Sequence, residues 1–306
     1  MFHGMMTIYK EAGYTSSDVV ARLRGIRHMK KIGHTGTLDP DAEGVLPVCL
    51  GIGTKLCELI ADRDKEYIAV MRLGIATDTQ DMSGTVLEQI SDEEVLRLVT
   101  PQMVRETAAE FVGEISQIPP MYSAVKVDGK RLYEYARQGK TVERKARKIT
   151  IFELEITSVE LPLVTMRVRC SKGTYIRTLC HDIGRKLNTG AAMEHLLRTR
   201  VGQFRLENAI RLDDAEAIMK SDDPSRILEH ILPVDSFFED APKAAVCEEG
   251  MKYLRNGNTV RRGLTDLSRE TGAGYVRMYD GNGKFYALYR FDPSRDELKN
   301  VKMFLS

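Results

Sequence analysis

Residues 33–55 read GHTGTLDPDAEGVLPVCLGIGTK. Two glycine-flanked polar turns come first, then Asp39 against a proline, then the uncharged run GVLPVCLG. That run, rich in Val and Leu, predicts a buried strand. The turn ahead of it is harder to explain. A surface turn needs a glycine or an Asx residue, not His34, Thr35, Thr37 and Asp39 crowded around two glycines. A carboxylate presented to a substrate would need such a setting, although a lone Asp-Pro is most often a plain turn.

Working outward, GYTSSDVVARLRGIRHMKK predicts a helix capped by Thr15 or Ser16, with Val19, Val20, Leu23 and Ile26 on its apolar face. Downstream, TKLCELIADRD predicts a short helix, KEYIAVMRLG a strand, TDTQDMSG a polar turn and TVLEQI another strand. SDEEVLRLVTPQMVRETAAEFVG carries helical periodicity, with Pro101 starting a second helix. PPMYSAVKVDGKRLYEYARQGK predicts a short strand, an Asp128–Gly129 turn and a helix. ARKITIFELEITSVEL and LVTMRVRCSKG are long strands joined at Pro162, and TYIRTLCHDIGRKLNTG is an amphipathic helix ending at a glycine. AAMEHLLRTRVGQFRL fits helix or strand, with Thr199, Val201 and Phe204 favouring a strand in its second half. The pattern implies an α/β (α+β) fold with a mixed, largely antiparallel sheet. ILPVDSFFEDAP reads as a two-proline linker, dividing the chain into residues 1–232 and a small β domain over 233–306. In that tail, CEEGMKYLRNGNTV predicts a short helix, GYVRMYDGNGKFYALYRFD a hairpin and VKMFLS a terminal strand.

Composition excludes several classes. With 42% hydrophobic and 29% charged residues in 306, the chain has the material of a globular core. MFHGMMTIYKEAGY lacks the basic and apolar regions of a signal peptide, and no run approaches the ~20 apolar residues of a membrane span. The five cysteines form no CxxC pair, and the six histidines do not cluster at ligand spacing. Reduced thiols, a cytoplasmic location and no metal are the expectation. GIGTK matches neither nucleotide-binding glycine motif, so no cofactor is expected. Net charge is only +1, which leaves local charge to carry any argument for nucleic acid. Residues 125–148 hold nine Lys/Arg against three acids, interleaved with Tyr133 and Tyr135. That suits phosphate contact and base stacking, or equally a solvated helix face followed by a charged loop.

GHTGTLDP, together with KEAGYTSSDVV, DKEYIAVMRLG, PPMYSAVKVDGKRLYEYAR, SKGTYIRTL and LLRTRVGQF, resembles the bacterial tRNA pseudouridine synthases of the TruB family. The resemblance runs from Ile8 to Phe204 in order and spacing, and KYLRNGNTVRRG in the tail resembles the PUA-type RNA-binding domain that follows in such enzymes. Glu11 departs from the pattern, where the family usually has proline, and puts local loop geometry in question.

The resemblance implies isomerisation of the uridine at tRNA position 55, in the T-loop, without cofactor, metal or guide RNA. By position in the matched motifs, Asp39 resembles the catalytic aspartate. Attack on the ribose, attack on the uracil ring and removal of a sugar proton all remain open as its role. Arg177 matches the arginine that pairs with it, Tyr67 the aromatic that stacks on the uracil, Tyr175 a second active-site tyrosine and Leu197 an apolar pocket wall. His34 matches a histidine inserted into the disrupted T-loop. The insertion at about 115–148 is expected to close over the T-loop, with Lys126, Arg131, Arg144, Lys145, Arg147 and Lys148 against phosphates. The tail is expected to grip the acceptor end of tRNA, and the protein to act as a monomer. A guide-RNA-dependent relative that modifies ribosomal RNA, and a tRNA-folding chaperone, are the rival readings. Guided relatives dispense with the basic insertion, which argues against the first. The joint presence of Asp39, Tyr67 and Arg177 argues against the second.

Overall fold

The computed structural model describes residues 3–27 and 29–305. Met1, Phe2, His28 and Ser306, which figure in the N-terminal, helix and terminal-strand readings above, lie outside them. Strand β1 (Gly4–Lys10) leads to helix α1 (Ser16–Arg27), whose end Thr15 closes: its Oγ1 accepts from the Asp18 N–H at 3.1 Å. β2 (Ile32–His34) and β3 (Glu43–Leu50) flank the turn that carries Asp39. Helix then begins sooner than expected, as a 3-10 turn over Gly51–Leu56 running into α2 (Cys57–Ala61). A Cβ at Gly53 would lie 2.2 Å from the carbonyl oxygen of Gly4, so this turn packs backbone to backbone on β1.

β4 (Lys65–Leu73) is followed by a small hairpin of β5 (Ile75–Thr77) and β6 (Val86–Gln89) around the TDTQDMSG turn. Ser91 caps α3 (Asp92–Leu98), and Thr100 caps α4 (Pro101–Ala109) with the proline in its first turn. β7 (Gly113–Gln117) precedes the basic segment, which forms a two-residue ribbon, β8 (Lys126–Val127) and β9 (Lys130–Arg131), then α5 (Leu132–Ala136). β10 (Arg147–Glu160), β11 (Leu163–Cys170), α6 (Ile176–Lys186), β12 (Ala191–Val201) and β13 (Phe204–Arg205) complete the central part. The ambiguous stretch from 191 is strand throughout. It lies between β3 and β4 in mid-sheet, where Ala191, Ala192 and Met193 are buried in succession, so its first half lacks the alternation that marks a half-exposed strand.

After α7 (Leu212–Lys220) comes β14 (Ile231–Leu232), paired with β1. The large sheet runs β14-β1-β3-β12-β4-β11-β10-β7, with β2 and β13 attached at its side. Every pairing is antiparallel except β3 with β12. The tail forms a second, five-stranded sheet from β15 (Lys243–Ala245), β16 (Val260–Arg261), β17 (Gly274–Tyr279), β18 (Phe285–Asp292) and β19 (Glu297–Met303), with α8 (Glu248–Arg255) packed on it.

The linker expectation at 231–242 does not hold. Ile231 and Leu232 are strand residues, and Val234, Phe237 and Phe238 enter an apolar cluster shared by both sheets, with Met5, Val45 and Phe204 on one side and Leu288 and Phe304 on the other. Proline-bounded sequence looked like a tether, but its aromatic side chains find a common core. Among the described residues no helix is long and apolar enough to cross a membrane.

Candidate active site

Asp39 is held by its neighbours on both sides. The Leu38 N–H donates to Ser16 Oγ at 2.9 Å, at the start of α1. Lys10, fully buried at the end of β1, donates to the carbonyls of Glu11 (3.0 Å), Pro40 (2.8 Å) and Ala42 (2.6 Å). The Gly13 N–H reaches the Pro40 carbonyl at 3.0 Å. Burial pulls the Lys10 ammonium down to about 8. The KEAGYTSS segment is therefore a clamp on the Asp39 turn. Glu11 does not disturb it: the turn uses only its carbonyl, while its side chain forms an ion pair with Arg211, whose guanidinium stacks on Tyr9 at 4.5 Å.

Arg177, in the first turn of α6, sends Nη2 to Asp39 Oδ1 at 3.1 Å and to the Tyr122 carbonyl at 2.7 Å. Its Nη1 faces the Thr79 carbonyl and Asp81 Oδ2, each at 3.5 Å. Asp81 in turn accepts from the hydroxyls of Thr79 and Ser83 at 2.7 and 2.6 Å. Gly84 is required there, since a Cβ would lie 2.3 Å from Thr79 Oγ1. Burial drives the Asp39 carboxyl above its ordinary range, and Asp81 and Asp41 push the same way, while Arg177 and Lys10 pull it back. An always-protonated guanidinium is suited to that last role, because it has no proton to surrender at the same pH.

Asp39 and Arg177 stand on a wall between two adjoining clefts of about 650 and 520 Å³. Tyr122, Tyr133 and Leu196 line both. Tyr67, Tyr175, Arg131 and Arg198 line the smaller one. Burial pushes the Tyr67 phenol up to about 12. Gln117 fixes the backbone of Tyr175 from both sides, its amide reaching the Tyr175 carbonyl at 3.0 Å and its oxygen the N–H at 2.8 Å. Thr35 Oγ1, Ser123 Oγ and Arg177 Nε are buried without hydrogen-bond partners among the described residues, and all three residues line the smaller cleft. Orphaned polar atoms around a cavity are groups a ligand could satisfy.

Two of the expected residues lie outside both clefts. Leu197 is not a cleft wall. Alternation along β12 puts Leu196 there, while Leu197 opposes Ile68 on the other side of the strand. His34, at the end of β2, lines neither cleft; it is half-buried, with Nδ1 unpartnered and its pKa lowered by burial and by Arg198. Of the six basic residues expected against phosphates, Arg131 lines the smaller cleft, donating to the Tyr133 hydroxyl at 2.9 Å, while Arg137, 5.4 Å from the same ring, lines the larger one. Arg144 is anchored on the Pro119 carbonyl at 3.1 Å, and Lys148 pairs with Glu114 at 2.6 Å. Lys126, Lys145 and Arg147 are exposed. The sequence reading missed Lys10, Asp81 and Arg198. Asp81 had one signal, two aspartates and a glycine within eight residues of polar turn.

A family model described as TruB family pseudouridylate synthase (N terminal domain) matches residues 24–176, and one described as tRNA pseudouridylate synthase B C-terminal domain matches 177–239. A protein of Lachnoclostridium phytofermentans named tRNA pseudouridine synthase B is 49% identical, over 99% of this chain and 100% of its own length. One of Clostridium perfringens with the same name is 43% identical over 98% of each. Among solved structures, a Cbf5-Nop10-Gar1 complex contains a chain similar at a TM-score of 0.70 and 28% identity, covering 99% of this chain and 85% of that one. The chain belongs to the TruB family of pseudouridylate synthases.

Proposed function

We propose that this protein isomerises the uridine at position 55 in the T-loop of tRNA to pseudouridine, alone and without guide RNA. The observation that carries the reading is the Asp39–Arg177 pair on the wall between two clefts. The reaction breaks the bond from uracil N1 to the ribose, turns the base and joins its C5 to the same carbon; nothing is oxidised and no group is lost. A carboxylate kept anionic by an adjacent guanidinium can act on such a centre as nucleophile or base. The base must first leave the folded loop, at a cost of a few kcal/mol that stacking and edge hydrogen bonds offset. Tyr67 and Tyr175 supply aromatic faces in the smaller cleft, and the orphaned Thr35 and Ser123 hydroxyls supply hydrogen-bonding groups.

The exposed cations of the 125–148 segment would contact T-arm phosphates, with His34 in the disrupted loop. Residues 233–306 form the second domain in this reading and hold the acceptor end. A cleft of about 480 Å³ there includes Lys252, Tyr253 and Arg261, with the Lys252 ammonium 5.0 Å from the Tyr253 ring centre. We read the protein as a cytoplasmic monomer. The guided alternative draws on the similarity to the Cbf5 complex, at 28% identity against 49% for the L. phytofermentans synthase. Incubation of the pure protein with an unmodified T-stem-loop, followed by mass-spectrometric detection of pseudouridine, separates them. Conversion with no second RNA is expected. A hairpin that stays unmodified until a guide is added would favour the alternative.

A further inference from the structure

Arg198 is 2% exposed, and among the described residues no carboxylate pairs with it. Filling interior space with a lone cation is costly, and a leucine or methionine would do it more cheaply. Its contacts suggest why a guanidinium is there. On β12, Arg198 lies in register with Tyr67 of β4 and Gly44 of β3. Its Nε donates to the Val45 carbonyl at 2.7 Å and its Nη2 to the Gly36 carbonyl at 3.3 Å, inside the catalytic turn. Strand β3 comes so near that a Cβ on Gly44, whose φ is +103°, would lie 2.3 Å from the Arg198 carbonyl. Arg198 and Tyr67 share the smaller cleft.

We propose that Arg198 is the positioning residue of this site, one buried fork that holds β3, the Gly36 end of the Asp39 turn and the phenol of Tyr67 in a fixed relation. The inference rests on the pseudouridine-forming reading, in which Tyr67 faces the target base. A planar guanidinium holds its donors in one rigid fork, whereas the three donors of an ammonium turn freely on a flexible stem. Arg198 also sets the charge at the phenol. The charged and titratable groups around Tyr67 are Arg198 on β12, Cys170 on β11 and Asp39 in the turn, with Arg198, Asp39 and Lys65 lining the same cleft. Of the three, Arg198 alone favours the phenolate, chiefly through its charge. Burial keeps Cys170 a neutral thiol at pH 7, and Asp39 opposes ionisation of Tyr67.

The test uses the full-length protein labelled with fluorotyrosine, with the Tyr67 resonance assigned from its loss in Tyr67→Phe. Arg198→Gln is expected to raise the midpoint of the Tyr67 titration and to lower kcat on the T-stem-loop by roughly 10- to 100-fold, with KM within about threefold. Arg198→Lys should restore part of the titration shift. Because part of what Arg198 does runs through Tyr67, the double variant should lose less than the two single losses combined. A folded Arg198→Gln protein with an unmoved Tyr67 titration and unchanged kcat would overturn the inference, as would additive losses in the double variant. Should neither Arg198 variant fold, the nitrogen resonances of the Arg198 guanidinium decide: they shift on Tyr67→Phe if the contact is real, and identical spectra refute it. An inert wild type would instead count against the functional reading itself.

Discussion

Arg177 and Arg147 are thirty residues apart and serve opposite ends of electrostatics. Arg177 is 5% exposed and faces four oxygens, those of Asp39, Asp81, Tyr122 and Thr79. Arg147 and its neighbour Lys145 are exposed and have no ion-pair partner among the described residues. A charge locked in the interior feels little salt and sets the proton affinity of its neighbours. A charge in solvent is screened within about 10 Å at 0.1 M salt and contributes mainly by releasing counterions from RNA. Chemistry should therefore fail when the interior is altered, and affinity when the surface is.

The largest effect is expected at Asp39. Asp39→Asn should lower single-turnover conversion of the T-loop uridine by at least ~10⁴-fold while filter binding stays near wild type. Thermal stability should move by no more than about 1 kcal/mol, because Arg177 keeps Asp81 and two carbonyls as partners. Turnover by a folded variant, checked by mass to be free of deamidation, would break the division between the two regions.

Arg177→Met sharpens the same point through pH. It removes the leading influence that lowers the already raised Asp39 pKa, so the carboxyl should stay protonated to higher pH. The acid limb of kcat should move upward, with activity partly regained as pH rises. The linked stability has a definite sign. A carboxyl whose folded pKa is raised contributes stability below its unfolded pKa and loses it as pH rises through the folded value. Melting of Arg177→Met relative to wild type should thus worsen from acid towards neutrality. A pH-independent loss would show that Arg177 only supports structure.

Lys10→Met tests the clamp rather than the reacting groups. Three carbonyls would lose one buried donor, for a cost of about 2–3 kcal/mol in denaturant unfolding. Looser presentation of Asp39 should lower kcat by up to ~10²-fold.

The smallest effect belongs to the surface. Neutralising Lys145 and Arg147 should each flatten the log–log salt dependence of tRNA binding by roughly 0.7 to 0.9, if each meets one phosphate. Lys148 and Arg144 should contribute less, since Glu114 and the Pro119 carbonyl already occupy them. Glu114→Gln, by freeing Lys148, should steepen the slope. An equal contribution from all four cations would mean that the local pairs dissolve on binding.

What the sequence determined by itself was the set of motifs and most of the elements. GHTGTLDP marked Asp39, SKGTYIRTL marked Arg177 and DKEY marked Tyr67 through their resemblance to the family's motifs, while turn glycines, caps and strand alternation, local physics written in adjacent residues, marked the elements. Tertiary structure decided the rest. The side of β12 that faces the clefts is set by pairing with β3 and β4, so Leu196 and not Leu197 forms the wall. Asp81 becomes a partner of Arg177 only when the β5–β6 turn is laid beside α6, nearly a hundred residues later in the chain. Arg198 reads as one more basic residue in LLRTRVG until its burial and its two carbonyl partners are seen. The apparent linker at 231–242 turned out to be core, since aromatic residues count as tether or packing only according to what lies opposite them. Long-range partners follow from chain closure over tens to hundreds of residues, and no local pattern encodes which surfaces will meet.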